Sequence, residues 1–175
     1  AARDHLFHGL VYSRAEDEFL KGSIPKLGST EATSILSKLR NQEGLIGDYL
    51  SKGCENRVYY RRGGLYWKVF VDFETGSSEE KTLCLRAEVD RYLVIAILSS
   101  SLWFWYLMAT SDCRHLGNRD INTFPFCMQR LDEPTRSKLN QLGKEYVASL
   151  VRYAQQRVRV YKGAKAVDVL SFQVK

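Results

Sequence analysis

The sequence predicts an α+β fold, in which a small and mainly antiparallel sheet accompanies a buried aromatic helix and a long C-terminal amphipathic helix. Three observations lead to this prediction. Two runs rich in aromatic and β-branched residues lie on either side of Gly63-Gly64. Residues 92–109 form an uncharged stretch. Apolar residues at helical spacing then recur between Pro134 and Val158.

The composition is that of a globular protein with a basic surface. The 175 residues are 45% hydrophobic and 26% charged, and the formal net charge is +6 at pH 7. A chain of this length can bury a core without disulfide or metal staples. The positive charge favours a polyanion or an acidic surface as partner, although charge alone does not indicate a fold.

The spacing of cysteine and histidine gives no indication of a metal site. Cys54, Cys84, Cys113 and Cys127 are too far apart in sequence to form a paired zinc motif. We interpret them as four reduced and mostly buried thiols. The opening of the chain is charged, with no apolar leader and no initiator methionine. We therefore expect a cytoplasmic location and a chain that is part of a longer protein.

Three regions are predicted, and we expect them to form one globular unit. Residues 1–50 are predicted to be a linker and helical segment, residues 51–130 a central core, and residues 131–175 a C-terminal helix and tail. In the first region, Thr30 is placed to cap a helix in which Leu36 and Leu39 form an apolar stripe.

The central core is predicted to begin with a hairpin. Residues 57–62 and 65–73 are the two strands, and a third short strand is predicted at residues 83–85. Gly63-Gly64 between the first two strands is typical of a two-residue type I′ turn, because both turn positions need positive φ. Residues 74–81 are predicted to be a loop of mostly polar residues.

A helix is predicted over residues 88–110, and it is apolar on nearly every side. Its uncharged part, residues 92–109, is close to the lower length limit for a membrane span. Ser99, Ser100 and Ser101 lie at the centre of that part, where hydrocarbon would be least favourable. We therefore predict a buried core helix and no membrane association, with a single membrane span as the minor alternative.

A turn and an extended segment, residues 118–126, are predicted to lead to the final amphipathic helix over residues 134–158. Residues 160–175 could add a strand. The apolar stripe of the final helix could also pair with a partner or with a second copy of the chain. A helical interaction domain that self-associates is therefore one alternative function.

Catalytic chemistry has one candidate set in the sequence. Asp72, Glu79 and Lys81 invite comparison with the two carboxylates and lysine of Mg²⁺-dependent nucleases. However, Glu79 and Lys81 fall in the predicted loop over residues 74–81, where a run of solvated charged side chains is the simpler interpretation. The chain contains no complete catalytic motif, and a nuclease remains an alternative to a binding function.

Basic and aromatic residues alternate along the predicted hairpin. Side chains on a strand point to alternate faces, so Tyr59 and Arg61 share one face while Tyr60 and Arg62 share the other. One face could pack into a core while the other offers guanidinium groups to phosphates or guanine edges.

Residues 111–120 are the second candidate for recognition, and we call them the polar loop. They combine Arg, His, Asn and Asp after a rigid helix.

The segments 98–106, 110–116 and 119–126 together resemble a known family. They run Leu-Ser-Ser-Ser-Leu-Trp-Phe-Trp-Tyr, then Thr-Ser-Asp-Cys-Arg-His-Leu, then Arg-Asp-Ile-Asn-Thr-Phe-Pro-Phe. This pattern is similar to the C-terminal target-recognition region of adenine-N6 DNA methyltransferases of the Eco57I and TaqI type, from type II restriction–modification systems. The hairpin also fits that region, and the resemblance covers roughly residues 20–130.

The resemblance implies a division of labour. A separate domain of the parent enzyme would bind S-adenosylmethionine and methylate a flipped adenine, whereas this region would recognise double-stranded DNA. The methylase motif Asn-Pro-Pro-Tyr and a glycine-rich cofactor motif are absent from this sequence. We therefore expect no catalysis and no cofactor in this chain, and we expect its partners to be DNA and the parent's catalytic domain.

Ten residues are predicted to contact DNA. Arginines suit guanine edges, and Asn118 suits the paired contact with an adenine edge. The predicted recognition residues are Tyr60, Arg61, Arg62, Lys68, Arg114, His115, Asn118 and Arg119, and the predicted phosphate contacts are Lys38 and Arg40.

Overall fold

The computed structural model describes residues 24–63, 68–159 and 167–172, with backbone alone for 155–159 and 167–172. It confirms the α+β class. The helices are α1 (Thr30–Arg40), α2 (Arg91–Leu98), α3 (Ser101–Thr110), α4 (Asn118–Asn122) and α5 (Glu133–Tyr153). The strands are β1 (Asn56–Arg61), β2 (Phe70–Val71), β3 (Glu80–Leu85), β4 (Ala154–Arg159) and β5 (Val167–Phe172), and Ile46–Tyr49 and Met128–Arg130 form 3₁₀ turns.

The main sheet has the order β2-β1-β3, and both pairings are antiparallel. Tyr60 lies opposite Phe70, whereas a two-residue turn at Gly63-Gly64 would place Tyr60 opposite Trp67. The predicted register is therefore wrong, although residues 64–67 themselves lie outside the described residues. Within residues 68–73, the described part of the predicted second strand, β2 is the segment that pairs, while β3 begins earlier than predicted and includes Lys81.

Hydrogen bonds at the end of β1 explain this difference in register. The backbone N–H of Arg62 donates to the Glu79 carbonyl at 2.9 Å, and the Arg62 carbonyl accepts from Leu116 N–H at 3.0 Å. An isolated bridge also joins Gly63 to His115. The end of β1 thus pairs with the polar loop, where the hairpin prediction had placed the second strand.

The long predicted apolar helix is two helices, α2 and α3, bent by 59° at Ser99 and Ser100. The Ser100 hydroxyl donates to the Ile97 carbonyl at 2.7 Å and accepts from Trp103 N–H at 3.1 Å. These local bonds compete with a continuous helix and cap the new one. No single helix among the described residues could span a membrane by length and composition, although the bent pair passes that test jointly.

Both helices bury large side chains against the sheet. Trp103 and Leu98 are essentially inaccessible to solvent, as is Phe70 on β2. The Phe70 ring lies edge-on to Trp103, with ring centroids 5.2 Å apart, and is 5.6 Å from the ring of Tyr60. The predicted burial of the aromatic helix is therefore confirmed. Contacts among the rings of Tyr60, Phe70 and Trp103 join α3 to the central strand.

The final helix ends earlier than predicted, at Tyr153, because the chain then enters β4. β5 pairs with β4, so the predicted tail contributes a strand in its described part. A Cβ added at Gly143 would collide with the backbone of Tyr92, so α5 and α2 approach each other closely at this point. Val147 is buried at the same contact, whereas Leu142 remains 43% exposed.

The prediction of four free thiols is wrong, since Cys54 and Cys84 form a disulfide. Their Cα atoms are 4.7 Å apart although 30 positions separate them in sequence. Antiparallel pairing of β1 with β3 brings them together, because Arg57 lies opposite Cys84. Cys113 and Cys127 are free thiols.

Candidate DNA interface

The polar loop is fixed at its start by a basic residue from the N-terminal segment. The Lys26 ammonium donates to the carbonyl of Ser111 at 2.5 Å. The Asp112 carboxylate accepts from Arg114 N–H at 3.0 Å, and this bond lowers the pKa of Asp112. Between them, Cys113 has a φ of 62°, in the left-handed region that few non-glycine residues adopt. Local hydrogen bonds hold this unfavourable backbone in place.

The second half of the polar loop is anchored by buried apolar residues. Leu116 and Ile121 are 1% and 0% exposed, so they fix the chain on both sides of the α4 start. The Asp120 carboxylate accepts from Gly117 N–H at 2.8 Å. The Tyr60 hydroxyl on β1 donates to the side-chain oxygen of Asn118 at 3.0 Å. The loop and β1, which the sequence suggested as recognition partners, therefore lie together.

A cleft of about 840 Å³ opens beside this junction. Four predicted contacts line it from different elements: Arg40 from α1, Arg62 from the end of β1, His115 from the polar loop and Arg119 from α4. We call this site the basic cleft. The rest of its lining consists of Gln42, Leu45, Tyr106, Thr110, Ser111, Asp112, Gly117, Asp120, Thr123 and Pro125.

Backbone pairing explains why the end of α1 reaches the basic cleft. Ile46 N–H donates to the Phe124 carbonyl at 2.9 Å, and Phe126 N–H donates to the Gly44 carbonyl at 2.9 Å. A bridge joins Leu45 to Pro125 between these two bonds. The segment after α1 is thus held against the segment after α4.

The α3 helix supplies a wall of the basic cleft. Tyr106 is buried, its hydroxyl donates to the Thr123 carbonyl at 3.0 Å, and its ring is 5.1 Å from that of Phe124. Burial raises the pKa of Tyr106, so its hydroxyl stays protonated at neutral pH. Sequence reasoning missed Tyr106 and Thr110 as lining residues, because an uncharged helix gives no signal of a binding surface.

Two predicted DNA contacts need correction because they are buried. Lys68 is only 5% exposed, and its ammonium lies 3.4 Å from the Arg62 carbonyl. Burial is the main cause of its lowered pKa, and the charge of Arg61 lowers it further. Tyr60 is 3% exposed. Both side chains support the site from inside the protein and cannot reach DNA without a rearrangement.

Three other predicted contacts are exposed but do not line the basic cleft. Arg61 is the exposed last residue of β1 and is not among the residues that line the cleft. Arg114 and Lys38 lie on the surface close in sequence to residues that do line it. The structure therefore brings together four of the ten predicted residues, with Asn118 held beside them.

Within the described residues, the two carboxylates of the alternative nuclease set have different neighbours. The Asp72 carboxylate accepts from the Tyr92 hydroxyl at 2.7 Å, and this bond raises the pKa of Tyr92. Glu79 lies against Gly63. No group of three or more His, Cys, Asp or Glu within residues 24–63, 68–159 and 167–172 could hold a metal ion.

Comparison with known proteins gives no match. No family model matches the chain, and neither curated proteins nor solved structures provide a similar one. The resemblance to methyltransferase recognition regions therefore stays a prediction.

Proposed function

We propose that this chain binds double-stranded DNA in a sequence-specific manner through the basic cleft and the polar loop. We propose further that it serves as the specificity domain of an adenine-N6 DNA methyltransferase, with catalysis and S-adenosylmethionine in a domain outside this chain. One observation carries the DNA proposal: basic side chains from α1, β1, the polar loop and α4 converge on a single cleft.

The chemistry of the basic cleft suits a nucleic acid. Guanidinium groups bind phosphate oxygens and can make two hydrogen bonds to a guanine edge. Arg62, His115 and Arg119 are exposed and available to a ligand that approaches from outside. The hydroxyls of Thr110 and Ser111 add neutral groups to the lining. A basic surface with neutral donors is typical of sites that contact both phosphates and bases.

The rigidity of the polar loop supports specific recognition. Hydrogen bonds and two buried apolar anchors fix its backbone at Ser111, Asp112, Leu116, Gly117 and Ile121. Binding then costs less conformational entropy, because the contacting groups are already ordered. A preformed loop also discriminates better between bases, since it adapts poorly to a wrong sequence.

The first experiment selects bound duplexes from a random library with the full chain and then measures their affinity at several salt concentrations. We expect a selected sequence motif, and we expect the logarithm of affinity to fall linearly with that of salt, with a slope of about −0.9 for each phosphate contacted. No enrichment of any sequence, or affinity independent of salt, would contradict the proposal.

Alanine variants of Arg40, Arg62 and Arg119 test the basic cleft directly. Each is expected to weaken binding about fivefold to a hundredfold, as for the loss of a charged contact. Arg61→Ala is the matched control, because it removes the same charge from the adjacent position, which is exposed but does not line the basic cleft. Equal losses for Arg61→Ala and Arg62→Ala would place the DNA elsewhere.

A further inference from the structure

The hydrogen bond between Tyr60 and Asn118 joins a buried strand residue to an exposed residue of the polar loop. Tyr60 is 3% exposed, and its hydroxyl donates to the side-chain oxygen of Asn118 at 3.0 Å. Asn118 is exposed and stands between Gly117 and Arg119, which both line the basic cleft. The bond therefore acts on a side chain at the edge of the proposed interface.

Tyr60 is held so firmly that it can orient Asn118. It lies on the central strand of the sheet, opposite Phe70 on one side and Lys81 on the other. Its ring contacts Phe70, which in turn contacts Trp103. Burial raises the pKa of Tyr60, so the hydroxyl remains a protonated donor at neutral pH.

The bond fixes the orientation of the Asn118 side-chain amide. A side-chain amide carries an oxygen that accepts and a nitrogen that donates. The oxygen faces the Tyr60 hydroxyl, while the nearby carboxylate of Asp120 is engaged by Gly117 N–H. The oxygen keeps a second lone pair and the nitrogen keeps its donors, so the amide can still accept and donate while its orientation is set. The paired contact of asparagine with adenine needs the oxygen and the nitrogen together.

We infer that Asn118, positioned by Tyr60, is a specificity-determining residue whose amide contacts a base edge in the major groove. The fixed amide presents its donor and its acceptor in one orientation, which suits either the paired contact with adenine or a donation to guanine. This inference rests on the proposed function, since it assigns a role to one residue of the same DNA interface.

The test compares base preferences of the full chain and three variants in the same library selection. Tyr60→Phe removes only the hydroxyl, and we expect it to relax the preference at one base position by about fivefold. Asn118→Ala should relax the same position. Tyr59→Phe is the matched control, because its hydroxyl contacts Glu74 at 3.3 Å and lies on the other face of β1. The salt dependence should be the same in all four proteins.

The outcomes separate the two ideas. If the chain selects no DNA sequence, the proposed function fails and this inference falls with it. If the chain selects a motif but Tyr60→Phe behaves like Tyr59→Phe, the inference alone is overturned. If Tyr60→Phe fails to fold, Asn118→Ala still tests the inference, because Asn118 is exposed and its replacement should leave the fold intact.

Discussion

The helical frame of α2, α3 and α5 and the polar loop are shaped by different forces. In the frame, Leu93, Leu98 and Trp103 are buried, and the helices approach each other closely at Gly143. The polar loop buries little apart from Leu116, and hydrogen bonds of single side chains set its backbone. Substitutions in the frame should therefore lower the free energy of unfolding. Substitutions in the polar loop should instead weaken DNA binding while the protein stays folded.

The largest effect is expected from loss of the disulfide in the sheet that the frame covers. Replacement of Cys54 and Cys84 by serine frees a loop whose ends are 30 positions apart. Chain entropy predicts a loss of about 3 to 4 kcal/mol in the free energy of unfolding. Urea denaturation with and without a reductant measures it. The double variant should be insensitive to the reductant, and an equal response from both proteins would contradict the prediction.

A smaller but still large effect is expected at the contact between α2 and α5. Gly143→Ala should destabilise the protein by about 2 kcal/mol, because the added methyl group collides with the Tyr92 backbone. At an exposed helical site the same change would stabilise by about 1 kcal/mol, so the sign is diagnostic. Ser149→Ala on the exposed side of α5 is the control. Chemical denaturation of both variants measures the difference.

The polar loop should respond differently. Asp112→Ala and Asp112→Asn remove the same negative charge from the cleft, but only Asp112→Asn keeps an acceptor for Arg114 N–H. Asp112→Ala should therefore bind DNA a few-fold more weakly than Asp112→Asn, while the unfolding midpoint stays nearly constant. Fluorescence anisotropy with the selected duplex measures both. A large fall in the unfolding midpoint for Asp112→Ala would show that the loop belongs to the frame.

The smallest effect concerns acid stability of the frame. Bonds from the side chain and backbone of Thr135 lower the pKa of Asp132, which caps α5. The folded-state pKa is below the unfolded one, so this contribution is complete at neutral pH. It diminishes below about pH 4, the usual range of aspartate, and is lost as pH falls through the folded-state pKa. Asp132→Asn keeps a cap but should lose less stability between pH 5 and 2. Parallel unfolding curves would contradict this.

The contrast between frame and loop also explains which features the sequence could predict. Apolar spacing identified the burial of residues 92–109 and the amphipathic α5, because burial follows from periodicity. Alternation along β1 put Tyr59 and Tyr60 on different faces, and their hydroxyls contact different partners, Glu74 and Asn118. It could not show that Tyr60 is buried while Arg62 lines the basic cleft, since that depends on where the neighbouring chain crosses.

Features that depend on single hydrogen bonds or on distant partners escaped prediction. The break at Ser100 and the register of the hairpin are set by bonds to Ile97 and to Leu116. The disulfide depends on the pairing of two strands. Residues 1–23, 64–67, 160–166 and 173–175, where part of the predicted linker, hairpin and tail falls, lie outside the described residues.

The bond from Leu116 N–H to the Arg62 carbonyl also indicates how this surface could be re-engineered. Leu116, Gly117 and Asp120 hold the end of the polar loop against the sheet and the interior. Residues 111–115 lie upstream of this anchor and form the more exposed part. Residues 111–115 can therefore be replaced by another sequence while the rest of the fold is kept. A replacement that shifts Leu116 would instead disturb β1.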